Sequence, residues 1–412
     1  MKTGGPIYLG ILCLVFQQLN AQSSIQKTDV INACNYPSLQ EAINALPAEG
    51  GMVSIPPGEY RLETPLVLST SNTRIEGSGA ATHLINDNKE GLSAFKILPN
   101  NSANEYLWRI QIGNLRISGN EKSGDGLYLE KVNELYLHGL SIDHHGKNGI
   151  HMLNCYENPR LAQCNITYNK ASGISINGGH DIVVSTNELE ENLDGLHVFD
   201  SFNLTMTGNN IDDHLRHGVV IENTYGSVIS GNMIEECIGT AIVLDRDCYG
   251  ITVSANNIAH NLGGGVALKD AWGSSISANT FVLVHKSGVL VEETSGRITI
   301  TGNNFSNSFI GHGTKRDPFD PASDKGPMQW DEGSGIVLNN TSDVAISGNI
   351  FSGLSAEAVK ATGKCHRALV SNNIMTDLGR RTKGDKVAID MNGATNTMVK
   401  DNVVESGLIV KQ

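Results

Sequence analysis

Past residue 110 the chain alternates in short bursts. A Gly opens G-φ-x-φ, with φ apolar; a polar turn follows, then φ-x-φ, then (Gly/Ala)-Asn-x-φ and another polar stretch. Period-two alternation in such short runs, bounded by Gly, Asn, Ser and Thr, marks half-buried strands. The asparagine recurs at Asn187, Asn209, Asn232, Asn256, Asn279, Asn303, Asn349, Asn372 and Asn402, at spacings of 22, 23, 24, 23, 24, 46, 23 and 30. Glycine-led strands start at Gly126, Gly149, Gly173, Gly195, Gly218, Ala241, Gly265, Gly288, Gly335 and Ala358. Three strands repeating every ~23 residues are one turn of a solenoid, whose units bury their apolar residues only by stacking. The asparagines fit a ladder of amides bonded from turn to turn.

The spacing of 46 holds one unit's worth of strands in two periods. Its surplus is an insertion at 306–334, a candidate lid, since loops that break a regular scaffold tend to carry function. A shorter excursion, RRTKGD at 380–385, accounts for the 30. At the other end Ser38-Leu39-Gln40-Glu41 is a capping box, and Leu39, Ala42, Ile43 and Leu46 follow at helical spacing until Pro47. One short helix ahead of unbroken strand signals predicts a plug on one end. The expected division is an N-terminal cap with first coils at 23–105 and repeats over 106–412. Residues 1–22 combine Lys2, an apolar core from Ile7 to Phe16 and a polar exit at Asn20-Ala21-Gln22. That is the pattern of a secretory signal peptide, too short for a stable membrane span, and it predicts a secreted or periplasmic protein. Beyond it lie Cys34, Cys155, Cys164, Cys237, Cys248 and Cys365. Cys155/Cys164 and Cys237/Cys248 are the close pairs for disulfides; buried filler thiols are the alternative.

Composition narrows the class. With 45 Gly, 39% hydrophobic, 5% aromatic and 18% charged residues in 412, the chain is no coiled coil, disordered chain or polytopic membrane protein. Thirty basic against 43 acidic residues give −13, which argues against a nucleic-acid partner. A local basic groove for an anionic glycan remains compatible with that balance.

The repeat resembles the right-handed parallel β-helix proteins of the pectate lyase superfamily, with their PbH1-type repeats. The opening LQEAINALPAEGG…IPPGEYRLETPL…IEGSG is similar to the N-terminal cap of rhamnogalacturonase- and epimerase-type members. The resemblance covers nearly the whole chain after residue 22 and implies an all-β, single-stranded right-handed parallel β-helix of about a dozen coils. It further implies an exported protein that binds a polysaccharide or oligosaccharide along the glycine-led strands.

The pleat sorts the residues on that face. In G-φ-x-φ-x the apolar pair points inward and the x positions outward. Two past the glycine stand Tyr128, His151, Ser175, His197, Val220, Val243, Ala267 and Leu290; four past it stand Glu130, Leu153, Asn177, Phe199, Glu222, Asp245, Lys269 and Glu292. Just before the glycine are Asn148, Ser172, Asp194, His217 and Thr240. Charged groups concentrate between 194 and 270. Asp194 with Arg216-His217 places an acid, a cation and an imidazole on adjacent turns; the imidazole suits proton transfer and the guanidinium suits a uronate carboxylate. Asp194-Gly195-Leu196 and Arg216-His217-Gly218 resemble successive coils of mannuronan C5-epimerases, although 170–175 reads Lys-Ala-Ser-Gly-Ile-Ser where that family carries a Tyr and an Asp-Pro-His motif. Asn192-Leu193-Asp194-Gly195 resembles the Asn-Thr-Asp-Gly motif of polygalacturonases, with Arg216-His217 in place of that family's aspartate pair. Glu222 and Asp245 share a column with Lys269 next; paired carboxylates suit a glycosidase, or a Ca²⁺ ion such as lyases of this fold use. Trp330 and Arg316 in the insertion, with His151 and Asp247, are candidate substrate contacts.

Three readings follow. A polysaccharide lyase acting on a uronate glycan would use His217, His197 or Lys269 as base and Arg216 or Ca²⁺ as neutraliser. A glycoside hydrolase would use two of Asp194, Glu222, Asp245 and Asp247. A non-catalytic glycan-binding β-helix would use none of them. On the first reading, Arg216→Ala is expected to abolish activity and leave the fold intact.

Overall fold

The computed structural model describes residues 30–101, 105–292, 294–306, 309–310, 314–315, 333–379 and 382–412. The expected signal peptide at 1–22, Arg316, Trp330 and most of the insertion lie outside the described residues.

Each turn contributes three strands. Asp194–Phe202 leads into Thr205–Thr207 and then Asn210–Asp212, after which Val219–Tyr225 begins the next turn. Successive turns pair in parallel, as in Leu196↔Val219, Met206↔Ile229 and Ile211↔Ile234. Third strands stack into a 14-stranded sheet, while first and second strands merge into a 31-stranded one. They merge because strands such as Ser172–His180 and Asp194–Phe202 continue through the corner between them. The chain is thus a right-handed parallel β-solenoid. Fourteen strands in one stack exceed the expected dozen coils. The early coils lack the glycine and asparagine marks yet already stack, Val30–Asn32 on Gly51–Ser54 on Thr73–Glu76.

The inward positions form one continuous core. Leu196, Val198, Met206, Ile211, Val219 and Ile221 are all fully buried, each such side chain stabilising the fold by about 1.5–3 kcal/mol relative to exposure. The leading glycine follows from crowding. A Cβ at Gly195 would lie 2.6 Å from both the Gly218 carbonyl oxygen and His214 Nε2.

Two buried ladders lock the turns. In the first, Asn187 donates from its backbone N–H and from Nδ2 to Asn209 Oδ1, both at 3.0 Å. The pattern continues through Asn232, Asn256, Asn279, Asn303 and Asn349. The next member is Asn373, not Asn372: Asn349 Nδ2 reaches Asn373 Oδ1 at 3.0 Å, and Asn372 occupies the left-handed turn at φ 57°. The second ladder stands at the head of the glycine-led strands. Asn169 Nδ2 donates to Asn192 Oδ1 at 2.8 Å, and the Asn192 N–H donates to His214 Nδ1 at 3.1 Å, so a histidine fills an asparagine's place.

The expected helix spans Leu39–Asn44, with Ser38 Oγ accepting the Glu41 N–H and Leu39, Ala42 and Ile43 buried. The six cysteines among the described residues are all free; Cys34 is exposed and the other five are buried. The paired disulfides fail because neighbours in sequence are not neighbours around the coil: Cys155 ends a first strand, whereas Cys164 precedes a third. Burial pushes the Cys155 and Cys237 thiols up to about 12. The insertion leaves after Asn304–Ser306, pairs Phe309–Ile310 antiparallel with Thr314–Lys315, and returns at Ser334–Asn339 beside Ser287–Val291. Among the described residues no helix is long and apolar enough to cross a membrane.

Candidate functional site

The outward columns fall in the anticipated register: His151↔Ser175, Ser175↔His197, His197↔Val220, Phe199↔Glu222 and Glu222↔Asp245. They build a trough. Val220, Val243 and Ala267 form an apolar floor, each under 8% exposed. One bank carries Asp194, His217 and Thr240; the other carries Phe199, Glu222, Asp245 and Lys269.

On the first bank Asp194 is 1% exposed. Its carboxylate accepts both prongs of the Arg216 guanidinium, Nε at 2.8 Å, and the His217 N–H at 3.1 Å. Burial opposes ionisation, but Arg216 and the His217 N–H outweigh it and hold the carboxyl below its usual range. Arg216 remains half-exposed and faces solvent as well. His217 Nδ1 accepts the Thr240 N–H at 3.0 Å. That bond places the proton of the neutral ring on Nε2. Burial, with Arg216 and Lys269, pulls the His217 pKa down against the attraction of Asp194, which favours the neutral ring.

On the second bank Glu222 Oε2 lies 3.0 Å from His197 Nε2, and Glu222 Oε1 lies 3.2 Å from Arg246 Nε. A carboxylate between the two makes His197 Nε2 the donor and leaves the lone pair on Nδ1. Arg246 also lies 5.9 Å over the Phe199 ring. The sequence columns overlooked it because it leaves the strand one residue after Asp245, in the left-handed turn at φ 54°. Asp245 Oδ1 accepts the Arg246 N–H at 2.8 Å, which fixes that turn. Lys269 is half-buried and makes no ion pair within the described residues.

The remaining candidates disperse. Asp247 is exposed on the corner after the strand, accepting the Tyr225 hydroxyl at 3.2 Å. His151 lies two turns before His197, 3.7 Å from Asp125 and edge-on to Tyr128. Desolvation, reinforced by Glu130, pushes the Tyr128 phenol up to about 12. Arg316 and Trp330 lie outside the described residues. A Ca²⁺ ion needs several free oxygen ligands. Glu222 is instead engaged by His197 and Arg246, and among the described residues no group of three or more His, Cys, Asp or Glu could hold a metal.

Comparison with known proteins agrees on architecture. The chain is a parallel β-helix protein. A family model described as "Periplasmic copper-binding protein (NosD)" matches residues 170–316. No curated protein matches the chain. Among solved structures, the A-module of mannuronan C-5 epimerase AlgE4 from Azotobacter vinelandii is similar at TM-score 0.58 and 14% identity, covering 92% of this chain and 100% of that one. The catalytic unit of the GH87 alpha-1,3-glucanase from Streptomyces thermodiastaticus strain HF3-3 is similar at 0.55 and 15% identity, covering 92% and 69%. DFA-IIIase from Arthrobacter chlorophenolicus A6 is similar at 0.54 and 12% identity, covering 76% and 94%. At these identities the likeness is one of fold.

Proposed function

We propose that the protein is a secreted or periplasmic carbohydrate-active enzyme that cleaves a uronate-containing polysaccharide by β-elimination in this trough. One observation carries the reading: the His197–Glu222 pair stands across an apolar floor from Asp194, Arg216 and His217, with Lys269 two turns on. The fold neighbours named as an epimerase and a glucanase lend support, since both act on polysaccharides through such a solenoid.

The roles follow from the protons. His197 Nδ1 takes the C5 proton while Glu222 holds Nε2–H and stabilises the imidazolium. The electron pair closes a C4–C5 double bond and the C4–O bond breaks. The leaving oxygen recovers the proton from His197. Arg216 and Lys269 offset the charge that builds on the uronate carboxylate, and the neutral His217 donates to it from Nε2. Asp194 positions Arg216 and the His217 backbone. Copper is named in the family description, but within the described part of 170–316 Cys237, Cys248 and His214 are buried in the core and no cluster of three or more His, Cys, Asp or Glu occurs.

The test incubates the protein with alginate, polygalacturonate, laminarin and dextran, following ultraviolet absorbance of unsaturated ends and release of reducing ends. Unsaturated product from a polyuronate is expected, reduced about 10²- to 10⁴-fold in His197→Gln. Reducing ends without unsaturation would replace this reading with hydrolysis by Glu222 and Asp245. Neither signal on any substrate would leave a binding protein.

A further inference from the structure

The corner after the glycine-led strand carries a second feature. His180, Phe202, Tyr225, Tyr249 and Trp272 stand in Cα register on successive turns, each paired with the next. They point outward: Phe202 is 44% and Tyr249 51% exposed. Phe202 and Tyr225 stack with centroids 5.6 Å apart. Farther along, the rings lie down on the backbone. A Cβ at Gly273 would meet Tyr249 Cε2 at 3.2 Å, and one at Gly296 would meet Trp272 Cζ3 at 2.8 Å. Gly273 and Gly296 thus leave room for the Tyr249 and Trp272 rings against the chain, and Arg297 lies 5.8 Å over the Trp272 ring. A contiguous row of partly exposed rings is unfavourable in solvent and marks a contact surface.

The surroundings specify the contact. The Tyr225 hydroxyl lies 3.0 Å from Asn223 Oδ1 and 3.2 Å from Asp247 Oδ2, either of which can accept its proton, and Asn203 Nδ2 donates to Asp181 Oδ1 at 3.1 Å. Amides and carboxylates flanking flat apolar faces, one per turn at about 4.8 Å, complement the C–H faces and hydroxyls of pyranose rings. Charge separates this row from the trough. From His180 to Tyr249 the rim holds Asp181, Asp200 and Asp247, which repel a polyanion, with the cation Arg297 over Trp272 at the far end, whereas the trough presents Arg216 and Lys269. Position also links the two, because Asp194–Phe202 carries His197 on one and Phe202 on the other.

We propose that this row binds an uncharged polysaccharide lying along the solenoid axis, beside the trough and independently of its chemistry. The full chain is tested by affinity electrophoresis and calorimetry against laminarin, hydroxyethyl cellulose and dextran, with alginate and polygalacturonate as charged counterparts. At least one neutral polysaccharide binds, and Phe202→Ala/Tyr249→Ala weakens it about tenfold. Tyr249→Phe, which keeps the ring face, and His197→Gln, which disables only the trough, both retain that binding. Polyuronate binding is unchanged by the ring substitutions. Superimposable thermal melts separate lost binding from lost fold. The proposal is overturned if no neutral polysaccharide binds, if the ring substitutions leave binding intact, or if the row captures polyuronates, anionic vesicles or proteins instead.

Discussion

Asp194 is almost wholly buried and is answered by one half-exposed guanidinium. Removing that guanidinium strands a buried charge, so Arg216→Ala should cost stability even where the fold stays intact. A loss of about 2–3 kcal/mol is expected in urea melts, below the usual cost for a fully buried pair because Arg216 is partly in water. Asp194→Asn in the same chain should recover most of it; a single variant as stable as wild type would show that the pair does not support the fold. His214 acts through protons. Burial, only partly offset by the Asn192 carbonyl, pulls its pKa down to about 4 from 6.5. The unfolded chain therefore binds a proton first as pH falls, and stability is lost between about 6.5 and 4. Because an asparagine suits this ladder position, His214→Asn should flatten that stretch of the stability–pH curve by on the order of 2–3 kcal/mol. An unchanged slope would exclude His214 as its source. The columns made Asp194, His217 and Glu222 legible from sequence, since the pleat alternates by two. They could not show that Thr240 would occupy His217 Nδ1, a bond made by a backbone N–H from the next turn.

The 14-stranded sheet carries an acidic column, Glu190, Asp212 and Glu235, in register on successive turns. Desolvation first, then Asp213, Glu235, Glu236 and Glu190, raises the Asp212 pKa to about 7 from 3.8. The folded state here holds its proton more tightly than the unfolded chain. The contribution is present below about 3.8 and is lost as pH climbs through about 7. Asp212→Asn should therefore raise the melting temperature at pH 8 and leave it unchanged near pH 3.5; equal melts at both would remove the column from the stability account. The amide ladder yields a sharper contrast. Asn373→Ala orphans the Asn349 N–H and Nδ2–H within the core, a loss of about 2–4 kcal/mol, whereas Asn372→Ala touches only a turn. Comparable losses would restore Asn372 to the ladder. Adjacent asparagines made that choice ambiguous from spacing alone. The aromatic row shows the opposite failing. His180, Phe202, Tyr225, Tyr249 and Trp272 recur at 22, 23, 24 and 23 residues, a period visible in the sequence but overlooked while the glycine served as the reference.

At the scale of the whole molecule the repeat announced its architecture, while the coils before residue 110 and the separation of the cysteines depended on contacts that no local pattern records. One connection has a wider consequence. Asn279 to Asn303 spans 24 residues and Asn303 to Asn349 spans 46, yet both close with a 3.0 Å amide bond. The scaffold is indifferent to how much chain passes between two rungs, and a doubled connection costs only about 0.6 kcal/mol in closure entropy. Replacing 309–331 with a two-residue turn should accordingly leave the melting temperature within a few degrees; a collapse of the fold would contradict this. Such a molecule keeps two separate dials: the rungs hold residues in register, and the length of chain between two rungs can change without retuning the scaffold.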